Sequence, residues 1–214
     1  VSMVNLYHDT MPKSMDAITW PSTPLSLVDL AGGDPDALLD SLIELATHAP
    51  SVGLSQPWRF VKVRSPERRR AVWESFAEAN ARALGGYEGA QKANYMGLKL
   101  AGLKEAPIHL AVFCDESTAT GSGLGRQTMP ETLRYSVVAA IQTMWLAARA
   151  EGLGMGWVSI FDPREVTHAL DVPEGWRLVA YLDIGWPAEE HIDPELERHH
   201  WETRHYTGDL VFIR

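Results

Sequence analysis

The fold of this chain is decided by Leu146-Ala-Ala-Arg-Ala-Glu-Gly-Leu-Gly-Met-Gly-Trp-Val-Ser159, where a long helix runs directly into a short strand. Apolar residues recur at helical spacing through 131–152, which predicts one amphipathic helix there. Pro130 suits its first turn, because the N–H that proline lacks would have no partner there. Gly152 and Gly154 are expected to end the helix with positive φ angles. The strand behind them is expected to carry one hydroxyl, that of Ser159, out of an apolar sheet.

Length and composition predict a soluble, cytoplasmic protein with one main domain. The 214 residues are 45% hydrophobic and 22% charged, which is ordinary for a globular chain of one domain. An irregular N-terminal extension is expected over 1–33, where prolines and glycines interrupt any period, and a single domain with a C-terminal arm over 34–214. No stretch approaches the roughly 20 apolar residues of a membrane span, and no signal peptide is evident.

The net charge argues against two classes of partner, and the single cysteine is expected to lie in the core. The formal net charge of −9 argues against nucleic acid or an anionic membrane as the main partner. The single cysteine, Cys114, lies in an apolar run and is expected to be a small buried hydrophobe.

Further along the chain, strands alternate with helices, which predicts an α/β or α+β fold. Helices are expected from Pro35, from Pro66 through Ala83, from residue 87 to about Glu105, and from Pro163 to Leu170. Strands are expected over 59–64, 108–114 and 178–184, and 209–214 is expected to form an edge strand or an arm. The Gly-rich, polar connection over 115–129 is long enough to suggest a function.

Three kinds of chemistry find little support. The eight histidines are scattered, and the adjacent His199 and His200 do not have the spacing of a helical zinc site, so no metal site is predicted. Ser159 lacks the Gly-x-Ser-x-Gly elbow of a nucleophilic serine. The glycines of 152–156 follow a helix and precede a strand, the reverse of a dinucleotide-binding turn.

A flavin site is better supported. A flavin needs a flat apolar slot, backbone donors near its ring edge and a cation for its phosphate. Small residues and backbone amides are available in Pro50–Trp58, and Trp157–Ile160 offers an apolar strand edge with one hydroxyl. Arg204 is a candidate phosphate ligand, because guanidinium binds phosphate through two parallel hydrogen bonds.

From about residue 34 to 204 the chain resembles the nitroreductase-like flavoproteins, and within them the dimethylbenzimidazole synthase (BluB) branch. The resemblance lies in 51–60 (Ser-Val-Gly-Leu-Ser-Gln-Pro-Trp-Arg-Phe), Thr128-Met129-Pro130-Glu131, the block 146–163, and Pro194-Glu-Leu-Glu197 followed by Trp201 and Arg204.

The resemblance implies an α+β fold with a mainly antiparallel sheet flanked by helices, assembled as an intertwined homodimer with FMN at the interface. The long helix would form much of the dimer core. The implied FMN-binding residues are Pro50, Ser51, Val52, Lys99, Met129, Trp157, Val158, Ser159 and Arg204. Lys104 is close enough to take the place of Lys99, and Ser159 is the implied catalytic residue.

The branch is implied to use molecular oxygen on reduced FMN, fragmenting the flavin to dimethylbenzimidazole, the lower ligand of cobalamin. NAD(P)H or a separate flavin reductase would supply the electrons. An NAD(P)H-dependent nitro, quinone or flavin reductase is one alternative, and a non-catalytic flavin-binding protein is another.

One departure bears on the chemistry. The branch carries an Arg-Arg-Asp-x-Arg run about 25 residues before the proline that matches Pro50, and the run binds the phosphate and covers the flavin. The matching stretch here is Thr23-Pro24-Leu25-Ser26-Leu27, which is uncharged. Lys13 and Asp16 are the residues that an N-terminal insertion could bring to the site instead.

Overall fold

The computed structural model of the protein describes residues 25–26, 35–98, 102–187, 191, 193–205 and 207–214. Its strands are β1 (Leu25–Ser26), β2 (Trp58–Lys62), β3 (Ile108–Asp115), β4 (Gly154–Val158) and β5 (Trp176–Pro187). Its helices are α1 (Pro35–Thr47), α2 (Pro66–Gly85), α3 (Gly89–Gly97), α4 (Thr132–Ala150), α5 (Pro163–Leu170) and α6 (Glu195–Arg198). Short 3₁₀ turns occupy Val52–Leu54 and Thr207–Leu210.

Every strand pairing in this sheet is antiparallel. β5 lies between β3 and β4, β2 pairs with the other edge of β3, and the two residues of β1 pair with the end of β5. The predicted α+β class, with a mainly antiparallel sheet flanked by helices, is confirmed.

The fully buried strand β3 faces two helix layers. Alternate residues from Ile108 to Cys114 pack with α1 and α4, while Ala111 and Phe113 pack against residues of α2 and α5 on the opposite face. Cys114 is fully buried, as predicted, and burial raises the pKa of its thiol to about 11.

Local signals set several helix ends. Ser65 caps α2 by accepting a hydrogen bond from the Arg68 amide at 3.2 Å, and Asp162 caps α5 through the Arg164 amide at 2.8 Å. Gly152, with φ 76°, ends the turn after α4, because a left-handed residue there costs glycine little.

Other boundaries differ from the sequence predictions. Gly154 does not end the helix; it is the first residue of β4 and its φ is not positive. The strand ends at Val158, so Ser159 follows it in an exposed position instead of lying within the sheet. α3 ends at Gly97, well before Glu105, because glycine is a poor helix former and Leu98 is already extended. In 209–214 the 3₁₀ turn ends at Leu210 and no strand follows.

The adjacent bulky residues Met144 and Trp145 point in different directions from α4. Both are buried within this one chain, with 0% and 4% of their surface exposed, because α1 and the sheet surround that helix.

Candidate functional site

The turn that follows α1 is held in an unusual backbone conformation. Gly53, Leu54 and Gln56 have φ angles of 56°, 54° and 44°, and two of them carry side chains that disfavour this region. The Ser51 hydroxyl accepts a hydrogen bond from the Gln56 amide at 3.1 Å and closes the turn. Such strain persists only where neighbouring structure imposes it.

Helix α4 supplies one of these constraints. The Val52 amide donates to the Ser136 hydroxyl at 3.0 Å. The amides of Leu54, Ser55 and Gln56 are bonded within the turn. Between Pro50 and Pro57, the amides without a hydrogen-bond partner among the described residues are those of Ser51 and Gly53. This turn therefore offers a ligand fewer backbone donors than the sequence predicted.

The connection between β3 and α4 packs against the same turn. A Cβ on Gly53 would lie 2.9 Å from the Leu124 carbonyl oxygen, and a Cβ on Gly125 would lie 2.7 Å from Cγ2 of Val52. The Met129 amide bonds to the Gly125 carbonyl at 3.3 Å, and 49% of the Met129 side chain is exposed. The structure therefore brings Ser51 and Val52 close to the segment that carries Met129; Pro50, at the start of the turn, is exposed.

Strand β4 presents its predicted residues on different faces. Trp157 is half-buried and packs on the same core as Val52. Val158 is 3% exposed and packs on the opposite face of the sheet, so only its backbone is open to a ligand on the Trp157 side. Ser159 is exposed, and no described residue forms a hydrogen bond with its hydroxyl.

The C-terminal candidate belongs to a different part of the molecule. The segment before Arg204 lies on α3, where Trp201 contacts Tyr87 and Tyr95 with ring centroids 5.4 Å and 6.0 Å away. The Arg204 amide donates to Glu197 Oε1 at 2.8 Å, and the side chain is exposed. No described contact joins Arg204 to the turn or to β4.

Of the two lysine candidates, the structure describes Lys104. Lys99 lies outside the described residues, as do Lys13 and Asp16. The alternative, Lys104, places its ammonium group 4.0 Å from the ring centroid of Trp73, a cation–π contact that occupies it structurally.

β3 and β5 carry a buried polar group, formed by His109, Tyr181 and Asp183, that was not predicted from the sequence. His109 Nε2 lies 3.2 Å from the Ala106 carbonyl oxygen, which can only accept, so Nε2 carries the proton. Nδ1 then accepts from the Tyr181 hydroxyl at 2.9 Å, and Asp183 Oδ1 lies 3.6 Å from the same nitrogen. His109 and Asp183 are directly opposite in the strand register, and Asp183 is also opposite Gly156 of β4.

Burial dominates the titration of this group. It lowers the pKa of His109 to about 4 and raises the pKa of Asp183 to about 8. Arg69 and the Gly102 amide favour the charged form of Asp183, but no described group makes a hydrogen bond of ordinary geometry to its oxygens. The pair is therefore neutral between these two values. Its sequence signal was a histidine and an aspartate inside otherwise apolar strands.

Neither a metal cluster nor a membrane-spanning helix is found in the described part of the chain. No group of three or more histidine, cysteine, aspartate or glutamate side chains there could hold a metal ion. No helix in those ranges is long and apolar enough to cross a membrane.

The sequence matches a known family over most of the fold. A model of the nitroreductase family matches residues 35–186, so the chain belongs to that family. Among curated relatives, the 5,6-dimethylbenzimidazole synthase of Rhodospirillum rubrum is 59% identical over 163 residues, covering 76% of this chain and 77% of that protein. The synthase of the same name from Rhodobacter capsulatus is 46% identical over 167 residues, covering 78% and 81%.

A solved structure agrees with this placement. Oxidised iodotyrosine deiodinase bound to FMN and 3-iodo-L-tyrosine superposes with a TM-score of 0.63 at 25% identity, covering 85% of this chain and 88% of that one.

Proposed function

We propose that this chain is an FMN-dependent oxidoreductase acting as a 5,6-dimethylbenzimidazole synthase, by oxygen-dependent fragmentation of reduced FMN in cobalamin lower-ligand biosynthesis. The observation that carries the proposal is the 59% identity to the Rhodospirillum rubrum synthase over three quarters of both chains. Electrons would come from NAD(P)H or from a separate flavin reductase. A cytoplasmic location, expected from the sequence, is part of the same proposal.

The chain offers groups suited to FMN. The Ser51 and Gly53 amides are unpaired donors among the described residues. Val52 and Met129 supply partly exposed apolar surface at this turn and the connection packed on it, and Trp157 is a half-buried ring on the same core as Val52. When bound, FMN supplies two-electron redox chemistry and reactivity toward oxygen. The protein would bind and orient the ring, and the Ser159 hydroxyl would donate a hydrogen bond near its reacting edge.

The uncharged stretch 23–27 supports a second candidate, an NAD(P)H-dependent nitro, quinone or flavin reductase. The cations and the aspartate that the synthase branch places there are absent from these five residues. A protein that binds FMN but lacks turnover is the third possibility.

One experiment separates the three. The protein is incubated with photoreduced FMN in air, and the products are resolved by chromatography and mass spectrometry. Dimethylbenzimidazole, absent from a protein-free control, is the expected product. Reoxidised FMN alone contradicts the synthase proposal; NAD(P)H consumption with a nitro or quinone acceptor then identifies a reductase. Binding of FMN without either reaction indicates the non-catalytic protein.

A homodimer is also part of this proposal. Tyr135 and Val138 lie three residues apart on one face of α4 and are 57% and 40% exposed. Leu54 and Leu124, on the packed turn and connection, are each 73% exposed. Large apolar side chains exposed in this way are typical of an interaction site, and a second copy of this chain is the proposed occupant.

Light scattering at micromolar concentration is expected to report about twice the 23.7 kDa mass of one chain. The dimer interface is expected to bury more than the ~2,000 Å² typical of obligate pairs. Tyr135→Lys combined with Val138→Lys should shift the mass to the monomer, because two charges would be buried without partners. Met96→Lys, at a residue of α3 that is 68% exposed, is the control. A wild-type mass of 23.7 kDa excludes the dimer.

Arg204→Ala is expected to weaken FMN binding roughly ten- to a hundredfold, because a charge-assisted bidentate contact contributes about 1.5–3 kcal/mol. Riboflavin lacks the phosphate, so its affinity should change far less. Titrations of both ligands measure the difference. An equal loss for the two would assign Arg204 a structural role.

A further inference from the structure

We infer that Ser136 is a positioning residue for flavin binding, which fixes the turn at Ser51–Gly53 without touching the ligand. The inference rests on the proposed function, since it takes that turn as part of the FMN site. It adds a residue of α4 that is 5% exposed and lies 84 positions from its partner in the sequence.

The hydrogen bonds of Ser136 have a fixed direction. Its hydroxyl lies 2.7 Å from the Thr132 carbonyl oxygen, which can only accept, so the hydroxyl proton points there. The oxygen lone pairs are then free to accept from the Val52 amide at 3.0 Å. One buried side chain therefore anchors the turn to the backbone of α4, eight of whose residues are buried.

A second contact limits Val52 from its other side. Gly125 has φ 80°, and a Cβ there would lie 2.7 Å from Cγ2 of Val52. The glycine therefore lets the connection before α4 approach the turn closely. Val52 is held between this connection and the hydroxyl of Ser136.

The consequence concerns the two neighbouring amides. Because the Val52 amide is bonded to Ser136, it is not a ligand donor; the amides on either side of it, of Ser51 and Gly53, are the unpaired ones in the described turn. Their directions depend on a backbone with residues in the left-handed region, which relaxes when its outside support is removed. Ser136 thus sets where the donors point.

The first test replaces Ser136 with alanine and uses Thr143→Ala as a matched control. Thr143 also lies on α4 and bonds to a carbonyl four residues earlier, that of Ala139 at 3.0 Å, but it does not contact the turn. Ser136→Ala should weaken FMN and riboflavin binding alike, about fivefold, and change the visible circular dichroism of bound flavin. Thr143→Ala should leave both unchanged.

The second test approaches Val52 from the other side. Gly125→Ala should reduce flavin affinity and alter the same dichroism signal, because the new methyl group displaces Val52. Gly89→Ala is its control, since Gly89 also has a positive φ, of 54°, with no atom within 4 Å of an added Cβ. The comparison of Gly125→Ala with Gly89→Ala tests the positioning role even if Ser136→Ala folds poorly.

The outcomes are separable. A wild-type protein that binds no flavin contradicts the proposed function. Wild-type binding with unchanged affinity and dichroism in both Ser136→Ala and Gly125→Ala overturns the positioning role alone. Equal effects in test and control variants overturn it as well, since they would reflect helix or loop stability.

Discussion

Ser159→Ala is expected to lower oxygen-dependent turnover of reduced FMN at least tenfold while FMN affinity and melting temperature stay near wild type. A fixed donor beside a developing negative charge can lower a barrier by about 2.7–4 kcal/mol, so the loss can reach a hundredfold or more. Because Ser159 is exposed, an effect of the substitution on turnover can be separated from an effect on folding stability. Its hydroxyl has no hydrogen-bond partner among the described residues, so truncating it should remove little folding stability.

Stopped-flow measurement of flavin reoxidation, together with product analysis, checks this prediction. Ser41→Ala is the control, because Ser41 is an exposed serine whose hydroxyl bonds only to the Ala37 carbonyl of α1. An unchanged rate in Ser159→Ala with flavin bound would leave Ser159 without a catalytic role.

Asp183→Asn is expected to change how stability depends on pH. The pKa of Asp183 is about 8 in the folded protein, against an ordinary value of 3.8, so between these values the native state holds a proton that the unfolded chain releases. This makes the free energy of unfolding fall as pH rises through the window.

His109 acts in the opposite direction over a narrower range. Its pKa falls from 6.5 to about 4 on folding, so the unfolded chain binds the extra proton and stability rises with pH between those values. The two slopes oppose each other between about pH 4 and 6.5. Wild-type stability should therefore fall mainly between about pH 6.5 and 8.

Urea unfolding between pH 5 and 9 checks the prediction. Asp183→Asn should lose the decline above pH 6.5, so the difference in unfolding free energy between variant and wild type should grow in favour of the variant up to about pH 8. Asp40→Asn is the control, because Asp40 makes an exposed ion pair with Lys62. Parallel curves for wild type and Asp183→Asn would contradict the buried, protonated state.

Local sequence signals predicted much of the fold. Ser65-Pro66 and Asp162-Pro163 place helix starts through side-chain caps and prolines, which act within a few residues. Gly152 likewise marks a left-handed position. The end of α3 at Gly97 was missed because amphipathic spacing continues beyond it, while the extended backbone at Leu98 is visible only in three dimensions.

The parts of the site that lie in contiguous motifs were predicted from the sequence, and the contacts between distant residues were not. The turn at Ser51 and the strand at Trp157 were found because each is a contiguous motif. The Val52–Ser136 bond joins residues far apart in sequence, and nothing in either local pattern indicates it. The pairing of His109 with Asp183 depends on the register of β3 against β5, which the sequence does not specify.

The strand order also has a consequence for how the chain is made. β3 is buried along its whole length, yet one of its two neighbours, β5, begins roughly 60 residues after β3 ends. At about 5–20 residues per second, a ribosome would need roughly 3–12 seconds to synthesise that interval. During it β3 would present an apolar, unpaired edge, the kind of surface on which nascent chains aggregate. More chaperone, which would cover that edge until β5 has been made, should therefore raise the soluble yield of this protein.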